Sequence, residues 1–294
     1  MRPDPMKKLS LVLLSSLLGL TSAVAAPVVD FHDHLGIQMW SLRETAKENP
    51  LKALDLVKEY GLKEIETASA AYGKLSVEEY AREVKSRGLV AIGMHVGYDA
   101  LEKDLAGAIS AAKTMGATYL ICPWVGKDKD GFTEVKAHKV AADFNAWGKT
   151  VREAGLKLGI HPHGYEFVPT SAGHGETTFD IIARETDPEN VVFEMDVFWV
   201  FHAGQDPVKL LEKYPGRWPL MHVKDIRKGA VTGLSTGSAA PTDNVPVGTG
   251  QIDWPAVLRT AQQTGVRHYL IEDETPSALQ CIPLSLAYLR ELKL

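Results

Sequence analysis

Histidine and carboxylate side chains recur in four groups through the second half of this chain. Each group ends a short run rich in Val, Ile, Leu or Phe, and the groups are His161-Pro-His163-Gly-Tyr-Glu166, Glu194-Met-Asp196, His222-Val-Lys224-Asp225 and Glu272-Asp-Glu274. Imidazole nitrogens and carboxylate oxygens bind divalent metals, and these groups also transfer protons in many enzymes. Four such groups at the ends of four apolar runs predict one site on which the runs converge.

The apolar runs alternate with amphipathic segments and predict eight strand–helix units. The predicted strands span residues 36–40, 62–66, 89–95, 118–122, 156–161, 191–195, 218–223 and 268–271. The first helix begins at Asn49-Pro50 and ends before Gly61, and the second has a Ser76–Glu79 capping box and ends before Gly88. The other helices are predicted over residues 101–115, 132–154, 178–185, 207–213, 254–264 and 277–292. Strands that are apolar throughout are typical of a parallel sheet covered by helices on both faces.

Eight such units in roughly 260 residues predict an α/β fold consisting of a single (β/α)8 TIM barrel. A doubly wound open sheet is the alternative, but it usually has a glycine-rich turn after its first strand. Here the corresponding turn, Ser41-Leu-Arg-Glu44, contains no glycine. The polar segment from Arg227 to Gly250 follows strand seven, on the barrel face that carries active sites, and is interpreted either as a lid or as a solvated loop.

The carboxyl ends of barrel strands surround one axis, and this arrangement predicts a metal site. The predicted ligands Glu166, Asp196, His222 and Glu272 come from strands five, six, seven and eight, in that order. Buried charges are costly unless they are paired or bind a metal, so four such groups are hard to explain by packing. A set dominated by carboxylates favours Mn²⁺, while Mg²⁺, Co²⁺ and Zn²⁺ are alternatives.

Several stretches of the chain carry a family resemblance. They are Gly36-Ile-Gln38-Met-Trp-Ser-Leu-Arg43, Leu158-Gly-Ile-His161-Pro-His163-Gly-Tyr-Glu166-Phe167, Val191-Val-Phe-Glu-Met-Asp196-Val-Phe-Trp199, Ala203-Gly-Gln-Asp-Pro207, Tyr214-Pro-Gly-Arg217, His222-Val-Lys224-Asp225, Val247-Gly-Thr-Gly250 and Glu272-Asp-Glu274. Together they resemble the sugar phosphate isomerase/epimerase family of xylose isomerase-like TIM barrels. That group also includes AP endonuclease family 2 enzymes, inosose dehydratases and keto-sugar epimerases. The resemblance extends from about residue 35 to residue 290 and is specific for the family but not for a substrate.

The resemblance implies a divalent metal held by Asp196, His222 and Glu272. Epimerases of the family usually have a glutamate near the end of the fifth strand, where this chain has His161 and His163, with Glu166 slightly beyond. Glu166 is the first choice of ligand from this strand, and His163 is the rival. The two histidines are then expected to bind substrate or to transfer protons.

The chemistry expected of such a site is proton abstraction next to a carbonyl. A metal that binds the carbonyl oxygen and a neighbouring hydroxyl acidifies the C–H bond between them and stabilises an enediolate, and a base removes the proton. Two bases on opposite faces give epimerisation, and transfer between adjacent carbons gives isomerisation. Loss of a β-substituent gives elimination, which the histidines of the fifth strand make a serious alternative.

Other polar and aromatic residues near strand ends are expected to line the pocket. Lys224 lies two residues beyond His222 on the same side of its strand and is predicted to polarise a substrate oxygen, or else to form an ion pair with Asp225 or Glu194. The predicted substrate-binding residues are Gln38, Glu66, His95, Trp199 and Glu274. For Trp199 a purely structural place in the core is the alternative.

The stretch Asp30-Phe-His32-Asp-His34 has the H-x-H spacing with which amidohydrolase barrels bind metal after their first strand. That role needs an apolar strand before the motif. Only Ala-Pro-Val-Val separates it from the predicted signal-cleavage site, and the first predicted strand follows it. The motif is therefore interpreted as a polar N-terminal arm that can fold over one end of the barrel.

The first 25 residues predict a secretory signal peptide. Lys7-Lys8 precedes an apolar stretch from Leu9 to Leu20, and Ala23-Val24-Ala25 fits the cleavage pattern. The stretch is too short to span a bilayer comfortably, although an uncleaved anchor is the alternative. We therefore predict a mature barrel domain at residues 26–294 that is exported to the periplasm or secreted, without a stable membrane anchor after cleavage.

The composition bears on which classes of partner the protein is expected to bind. A net charge of -5 gives no indication of nucleic-acid binding, and Cys122 and Cys281 are predicted to be unpaired. The sequence thus predicts a metal-dependent isomerase or epimerase that acts on a small sugar or keto-sugar, with a keto-glycoside lyase or dehydratase as the alternative. A metal-dependent hydrolase, either amidohydrolase-like or a phosphodiesterase, and a non-catalytic sugar-binding barrel are the alternatives of other classes. A homo-oligomeric state stays open.

Overall fold

A closed barrel of eight parallel strands forms the centre of the computed structural model, which describes residues 29–294. The barrel strands are β1 (Leu35–Gln38), β2 (Glu64–Thr67), β3 (Val90–His95), β4 (Tyr119–Cys122), β5 (Lys157–Ile160), β6 (Val191–Asp196), β7 (Leu220–Val223) and β10 (His268–Ile271). Each strand pairs with the next along the chain, and β1 closes the barrel against β10. The predicted TIM barrel is confirmed. The predicted signal peptide lies outside the described residues and stays a prediction.

Helices cover the outside of the barrel and connect its strands. They are α1 (Arg43–Glu48), α2 (Pro50–Glu59), α3 (Val77–Ser86), α4 (Tyr98–Met115), α5 (Glu134–Glu153), α6 (Thr178–Glu185), α7 (Val197–His202), α8 (Pro207–Lys213), α9 (Trp254–Thr264) and α10 (Ala278–Glu291). The predicted caps of α2 and α3 are present: the Asn49 side chain accepts from two backbone N–H groups, and Ser76 and Glu79 form the capping box. None of the helices in the described part of the chain is both long enough and apolar enough to cross a membrane.

Several local predictions need correction. The first strand ends at Gln38 rather than at residue 40, because the Gln38 side chain accepts the N–H of Trp40 and caps a short 3-10 helix over Met39–Leu42. Helix α7 was not predicted from the sequence, because nearly all of its side chains are buried and it has no polar face. The sequence pattern predicts a helix best where apolar and polar faces alternate.

The interior of the barrel has an apolar layer below a polar layer. Ile92, Tyr119, Ile121, Val192, Leu220 and Leu270 form a buried cluster separate from the main core. Alternate side chains of a strand share one face, so Val192 and Leu220 lie on the same face as Glu194 and His222, two residues further on. The interior is therefore apolar in this layer and becomes charged at the carboxyl ends of the strands.

The segment from Arg227 to Gly250 is held down at both ends. Near its end the segment contains β9 (Asn244–Val245), which pairs antiparallel with β8 (Asp225–Ile226), the strand directly before the segment. Behind the hairpin, the Asp225 carboxylate accepts the N–H of Gly248 at 2.9 Å and that of Gly250 at 3.0 Å. Between the ends, most side chains are exposed. The segment is thus an anchored loop with an exposed middle.

The arm that carries the H-x-H spacing folds against the amino-terminal end of the barrel. His32 lies 2.7 Å from Asp30 through its Nδ1 atom, and its Nε2 atom lies 3.1 Å from the carbonyl oxygen of Leu292, just beyond α10. His34 immediately precedes β1. The favoured interpretation as an arm agrees with this position. The amidohydrolase alternative is wrong, because both histidines lie at the end of the barrel opposite to the strand carboxyl ends.

We expect Asp225→Ala to free the end of the loop. The substitution leaves the N–H groups of Gly248, Gly250 and the buried Ile226 without their acceptor, at a cost of about 2–4 kcal/mol in the free energy of unfolding. Hydrogen exchange should then accelerate at residues 244–252. The control is Asp128→Ala, which removes an exposed carboxylate from a neighbouring loop. Unchanged exchange at residues 244–252 in the Asp225 variant would show that the carboxylate does not anchor the loop.

Candidate active site

Charged and polar side chains from seven of the eight barrel strands, or from the residues that follow them, meet at the carboxyl ends of the barrel. The completely or almost completely buried members are Gln38, Glu66, His161, Glu194, Asp196, His222, Lys224 and Glu272, and His95 is half-buried beside them. Glu66 fits only because β3 has a glycine opposite: a Cβ atom on Gly93 would lie 2.5 Å from Glu66 Oε1. The predicted convergence of strand ends on one site is therefore present.

His222 lies at the centre of the layer. Its Nε2 atom is 2.8 Å from Glu66 Oε2 and 3.3 Å from Glu194 Oε2, and its Nδ1 atom is 3.3 Å from Glu272 Oε2. Burial opposes a charge on the imidazole, but the carboxylates of Glu194 and Glu272 outweigh it and raise the pKa of His222 well above its ordinary value. These carboxylates, which would otherwise repel one another, therefore favour a proton on His222.

Two groups of possible metal ligands share His222. In the first, possible ligand atoms of His95, His161, Glu194 and His222 lie within 4.8 Å of one another. His95 Nε2 is 3.1 Å and His161 Nδ1 is 2.9 Å from Glu194 Oε2. Although burial raises the pKa of Glu194, the three imidazoles lower it well below its usual range.

Glu194 was not among the ligands predicted from the sequence. The signal that identifies it is its position two residues before Asp196 on β6, which places both carboxylates on the interior face.

The second group consists of Asp196, His222 and Glu272, three of the four predicted ligands. Lys224 lies beside it, with Nζ 3.2 Å from Glu272 Oε2 and 3.8 Å from Asp196 Oδ2, and it forms a close ion pair with Glu274. Burial disfavours the ammonium, but Glu272, Glu274 and Asp196 raise the pKa of Lys224 above its ordinary value. The predicted ion-pair partners, Asp225 and Glu194, need correction to Glu272 and Glu274.

Three carboxylate oxygens in the layer are buried without a hydrogen-bond partner among residues 29–294: Glu66 Oε1, Glu194 Oε1 and Asp196 Oδ2. A buried carboxylate oxygen usually accepts a hydrogen bond or binds a cation, because desolvation without either is expensive. These oxygens therefore mark positions at which the layer has spare capacity to bind a positive charge.

Glu166 belongs to neither group of ligands. Its Oε2 atom instead accepts the backbone N–H of His163 at 3.0 Å, so the side chain turns back on its own loop. Burial raises the pKa of Glu166 to about 8, against the opposing effect of hydrogen bonds from backbone N–H groups. Glu166 as a metal ligand stays a prediction that this placement does not support. The residue after β5 that joins the first group is His161.

His163 and His95 line the same cavity but differ in their electrostatic surroundings. Burial, together with the neighbouring His161 and Lys224, lowers the pKa of His163 well below its ordinary value. Burial also opposes charge on His95, but Glu66 at 2.9 Å and Glu194 at 3.1 Å raise its pKa to about 9. At neutral pH the His163 imidazole is thus neutral, whereas His95 is an imidazolium.

The cavity has a volume of about 480 Å³ and opens beside this layer. Its wall includes His161, Glu272 and Glu274, and two tryptophans, Trp40 and Trp124, are 38% and 43% exposed beside them. A volume in this range is typical of sites that bind small molecules.

Among the predicted substrate-binding residues, His95 and Glu274 line this cavity. Gln38 donates to Glu66 Oε2 at 2.7 Å below it. Trp199 is buried, and the centroid of its ring lies 5.4 Å from Lys224 Nζ. This burial agrees with the alternative prediction, a structural place in the core.

Comparison with known proteins places this barrel in a family. A sequence model of the xylose isomerase-like TIM barrel matches residues 54–292. An inosose dehydratase of Clostridium tetani is 26% identical over 167 residues, which cover 55% of this chain and 54% of that protein. An inosose dehydratase of Mesomycoplasma hyopneumoniae is 29% identical over 178 residues, or 56% of this chain and 58% of that protein. The chain thus spans little more than half the length of these relatives.

Solved structures share the fold at lower sequence identity. A sugar phosphate isomerase/epimerase of Parabacteroides distasonis superposes with a TM-score of 0.72 at 24% identity, over 88% of this chain and 98% of that one. The IolI protein, with a bound zinc atom, has a TM-score of 0.66 at 15% identity, over 87% and 95% of the two chains. Because the sequence model spans most of the described barrel, the chain belongs to the xylose isomerase-like TIM barrel family.

Proposed function

We propose that this protein is a divalent-metal-dependent enzyme that removes the proton next to the carbonyl of a keto-sugar and eliminates a β-substituent. The opposite protonation of His163 and His95 at one cavity supports this proposal most strongly. Two titratable groups whose pKa values are pushed apart can serve as base and acid in the same turnover. The inosose dehydratases among the relatives are consistent with an elimination.

The donor set fits a divalent ion. Asp196, His222 and Glu272 offer two carboxylates and an imidazole within 4.8 Å, and Asp196 Oδ2 has no hydrogen-bond partner in the described part of the chain. His161, whose Nε2 atom is 3.8 Å from Asp196 Oδ2, would complete the set in place of the predicted Glu166. Such an ion, when bound, supplies a Lewis acid that polarises a carbonyl group. The mixed oxygen and nitrogen donors suit Mn²⁺, Co²⁺ or Zn²⁺ better than Mg²⁺.

Proton transfer is assigned to His163 and His95, which both line the cavity. His163 is neutral, so it can accept the proton from the carbon next to the carbonyl. The bond between the β-carbon and its oxygen then breaks, and the departing oxygen takes a proton from the His95 imidazolium. The products are an unsaturated ketone and water or an alcohol. His163 has gained the proton that His95 has lost, and solvent restores both.

The cavity supports an uncharged sugar as substrate. Lys224 is already paired with Glu272 and Glu274, and the other side chains of the layer include four buried carboxylates, which would repel a phosphate. The exposed faces of Trp40 and Trp124 can contact the apolar face of a sugar ring. An alcohol as leaving group would make the substrate a keto-glycoside. The predicted export is kept as part of this proposal.

Epimerisation or isomerisation of a keto-sugar is the second candidate. Solved structures with this fold include an L-ribulose 3-epimerase, with a TM-score of 0.64 at 13% identity. Both reactions begin with the same proton abstraction, and they differ in whether the β-substituent is lost. In this chain His161, not a glutamate, follows β5 in the layer, and this difference favours elimination over a mechanism with two carboxylate bases.

We expect His163→Ala to reduce kcat on a keto-glycoside by roughly 10²–10⁴, the usual contribution of a general base. The measurement combines release of the leaving group with deuterium uptake from heavy water at the carbon next to the carbonyl. The matched control is His138→Ala, which removes an exposed histidine on α5. Deuterium uptake without release of the leaving group would support the epimerase instead. Neither reaction across a broad panel of keto-sugars would contradict both.

We expect activity to fall as the pH rises through about 9, the pKa of His95, because the acid loses its proton there. His95→Gln should abolish this alkaline limb and lower the rate at neutral pH, most strongly for substrates with poor leaving groups. The pH dependence of kcat/KM for leaving groups of different basicity tests this. An alkaline limb that persists in the variant would assign the acid to another group.

We expect Asp196→Asn to lose one equivalent of bound divalent metal and nearly all activity, because the substitution removes a charged ligand from the buried set. Elemental analysis of the purified protein measures the metal, and circular dichroism checks the fold. Glu176→Gln, on a partly exposed side chain outside the layer that pairs with Arg184, is the control. Full activity after exhaustive chelation would contradict the metal-dependent part of the proposal.

A further inference from the structure

A second cluster of metal-binding side chains lies at the amino-terminal end of the barrel. His34 immediately precedes β1, while Glu64 and His268 are the first residues of β2 and β10. Strand β1 pairs with both of these neighbours: Leu35 is opposite Tyr269, and Gly36 is opposite Glu64. The register therefore brings three side chains from three adjacent strands to one point.

The two imidazoles contact the two oxygens of one carboxylate. His34 Nδ1 is 3.0 Å from Glu64 Oε1, and His268 Nδ1 is 2.7 Å from Glu64 Oε2. The rings lie nearly perpendicular, with their centroids 5.8 Å apart, and a ligand atom from each residue lies within 4.8 Å of the other two. The three side chains are thus already gathered in an arrangement that a single ion can bridge.

We propose that His34, Glu64 and His268 form a second metal site, selective for Zn²⁺ and chemically similar ions. Two imidazoles and one carboxylate are a common set of three protein ligands for zinc, with a water molecule in the fourth position. Ligand atoms bound to zinc in a tetrahedron are roughly 3.3 Å apart, so the observed nitrogen–oxygen distances need to open by only a few tenths of an ångström. Mg²⁺ and Ca²⁺ prefer sites made of oxygen alone.

The exposure of the cluster suits a metal that enters from solvent. The side chain of His34 is 37% exposed, while those of Glu64 and His268 are 15% and 17% exposed. Water can therefore reach the fourth position, whereas the carboxylate remains largely shielded. The Tyr119 ring packs edge-on against His268 at 5.7 Å and restricts its orientation.

This site is separate from the active site. Strand β1 begins just after His34 at one end of the barrel and ends at Gln38, in the polar layer at the other end. The apolar interior cluster lies between the two ends. An ion here does not contact the cavity at which the reaction is proposed. It would instead link β1 to its two neighbours, β2 and β10, where the barrel closes. Since the ligands come together only in the folded chain, binding stabilises the fold.

The H-x-H spacing in the sequence is incidental to this site. His34 is a ligand, but His32 is occupied by Asp30 and by the carbonyl oxygen of Leu292. The partners of His34 are 30 and 234 residues away along the chain, since they are Glu64 and His268.

The test is zinc titration of the full chain after removal of metal with a chelator, in an Asp196→Asn, His222→Gln background, because both groups of possible ligands at the active site share His222 and must not contribute. We expect one equivalent of Zn²⁺ to bind, a rise in Tm, and a Co²⁺ spectrum typical of four-coordinate cobalt. His34→Ala and Glu64→Gln should each weaken zinc binding by more than about tenfold and remove the rise in Tm. His32→Ala, next to the site, is the matched control and should keep both.

The Glu64→Gln variant keeps a side chain of the same shape, so loss of zinc there is separable from misfolding, which circular dichroism detects. With Asp196 and His222 intact, His34→Ala should keep its activity on a keto-sugar. Unchanged zinc stoichiometry and affinity in both His34→Ala and Glu64→Gln would overturn the proposal. That result would leave the proposed reaction untouched, because the latter depends on the opposite end of the barrel.

Discussion

The burial of four carboxylates in one layer is the constraint on which the rest of this structure depends. The four are buried at the carboxyl ends of the strands, and each has an oxygen within 4.0 Å of a ring nitrogen of His222: Glu66, Glu194, Asp196 and Glu272. Each buried charge costs several kcal/mol unless an opposite charge compensates it. Within the described residues, the compensation comes from His222, Lys224 and His95, whose pKa values are raised by these carboxylates.

The barrel provides this layer through its register. Side chains two residues apart on a strand share a face, so Val192 is followed by Glu194 and then by Asp196 inside the barrel. The apolar members close the interior from below and exclude water, which strengthens the interactions between the charges above. The Glu66 side chain has the space that it needs because the residue opposite it on the neighbouring strand is Gly93.

The sequence predicts the fold well because the barrel strands are apolar and regularly spaced. It also predicts Asp196, His222 and Glu272 in one group, since each lies within one residue of the end of its own strand. Glu194 is missed because a glutamate inside a strand resembles any other buried polar residue until its face is known.

The loop after β5 is hardest to predict from sequence. The chain turns at Gly164, where φ is +89°, and the Glu166 side chain then points back to the N–H of His163. Spacing alone cannot show this reversal, so the sequence predicts Glu166 as the ligand, with His163 as its rival, and does not identify His161.

The charges of the layer also shift the pKa values of His95 and His163, the two histidines of the proposed reaction, in opposite directions. His95 contacts two carboxylates and holds its proton to about pH 9. His163 forms no ion pair with any carboxylate in the described structure, and its ring packs against Trp124 and Trp199 at 5.5 and 5.6 Å. Two residues of one type thus acquire opposite protonation states at neutral pH, because one lies against the carboxylates and the other against aromatic rings. An acid and a base can therefore coexist at one cavity without a difference in residue type.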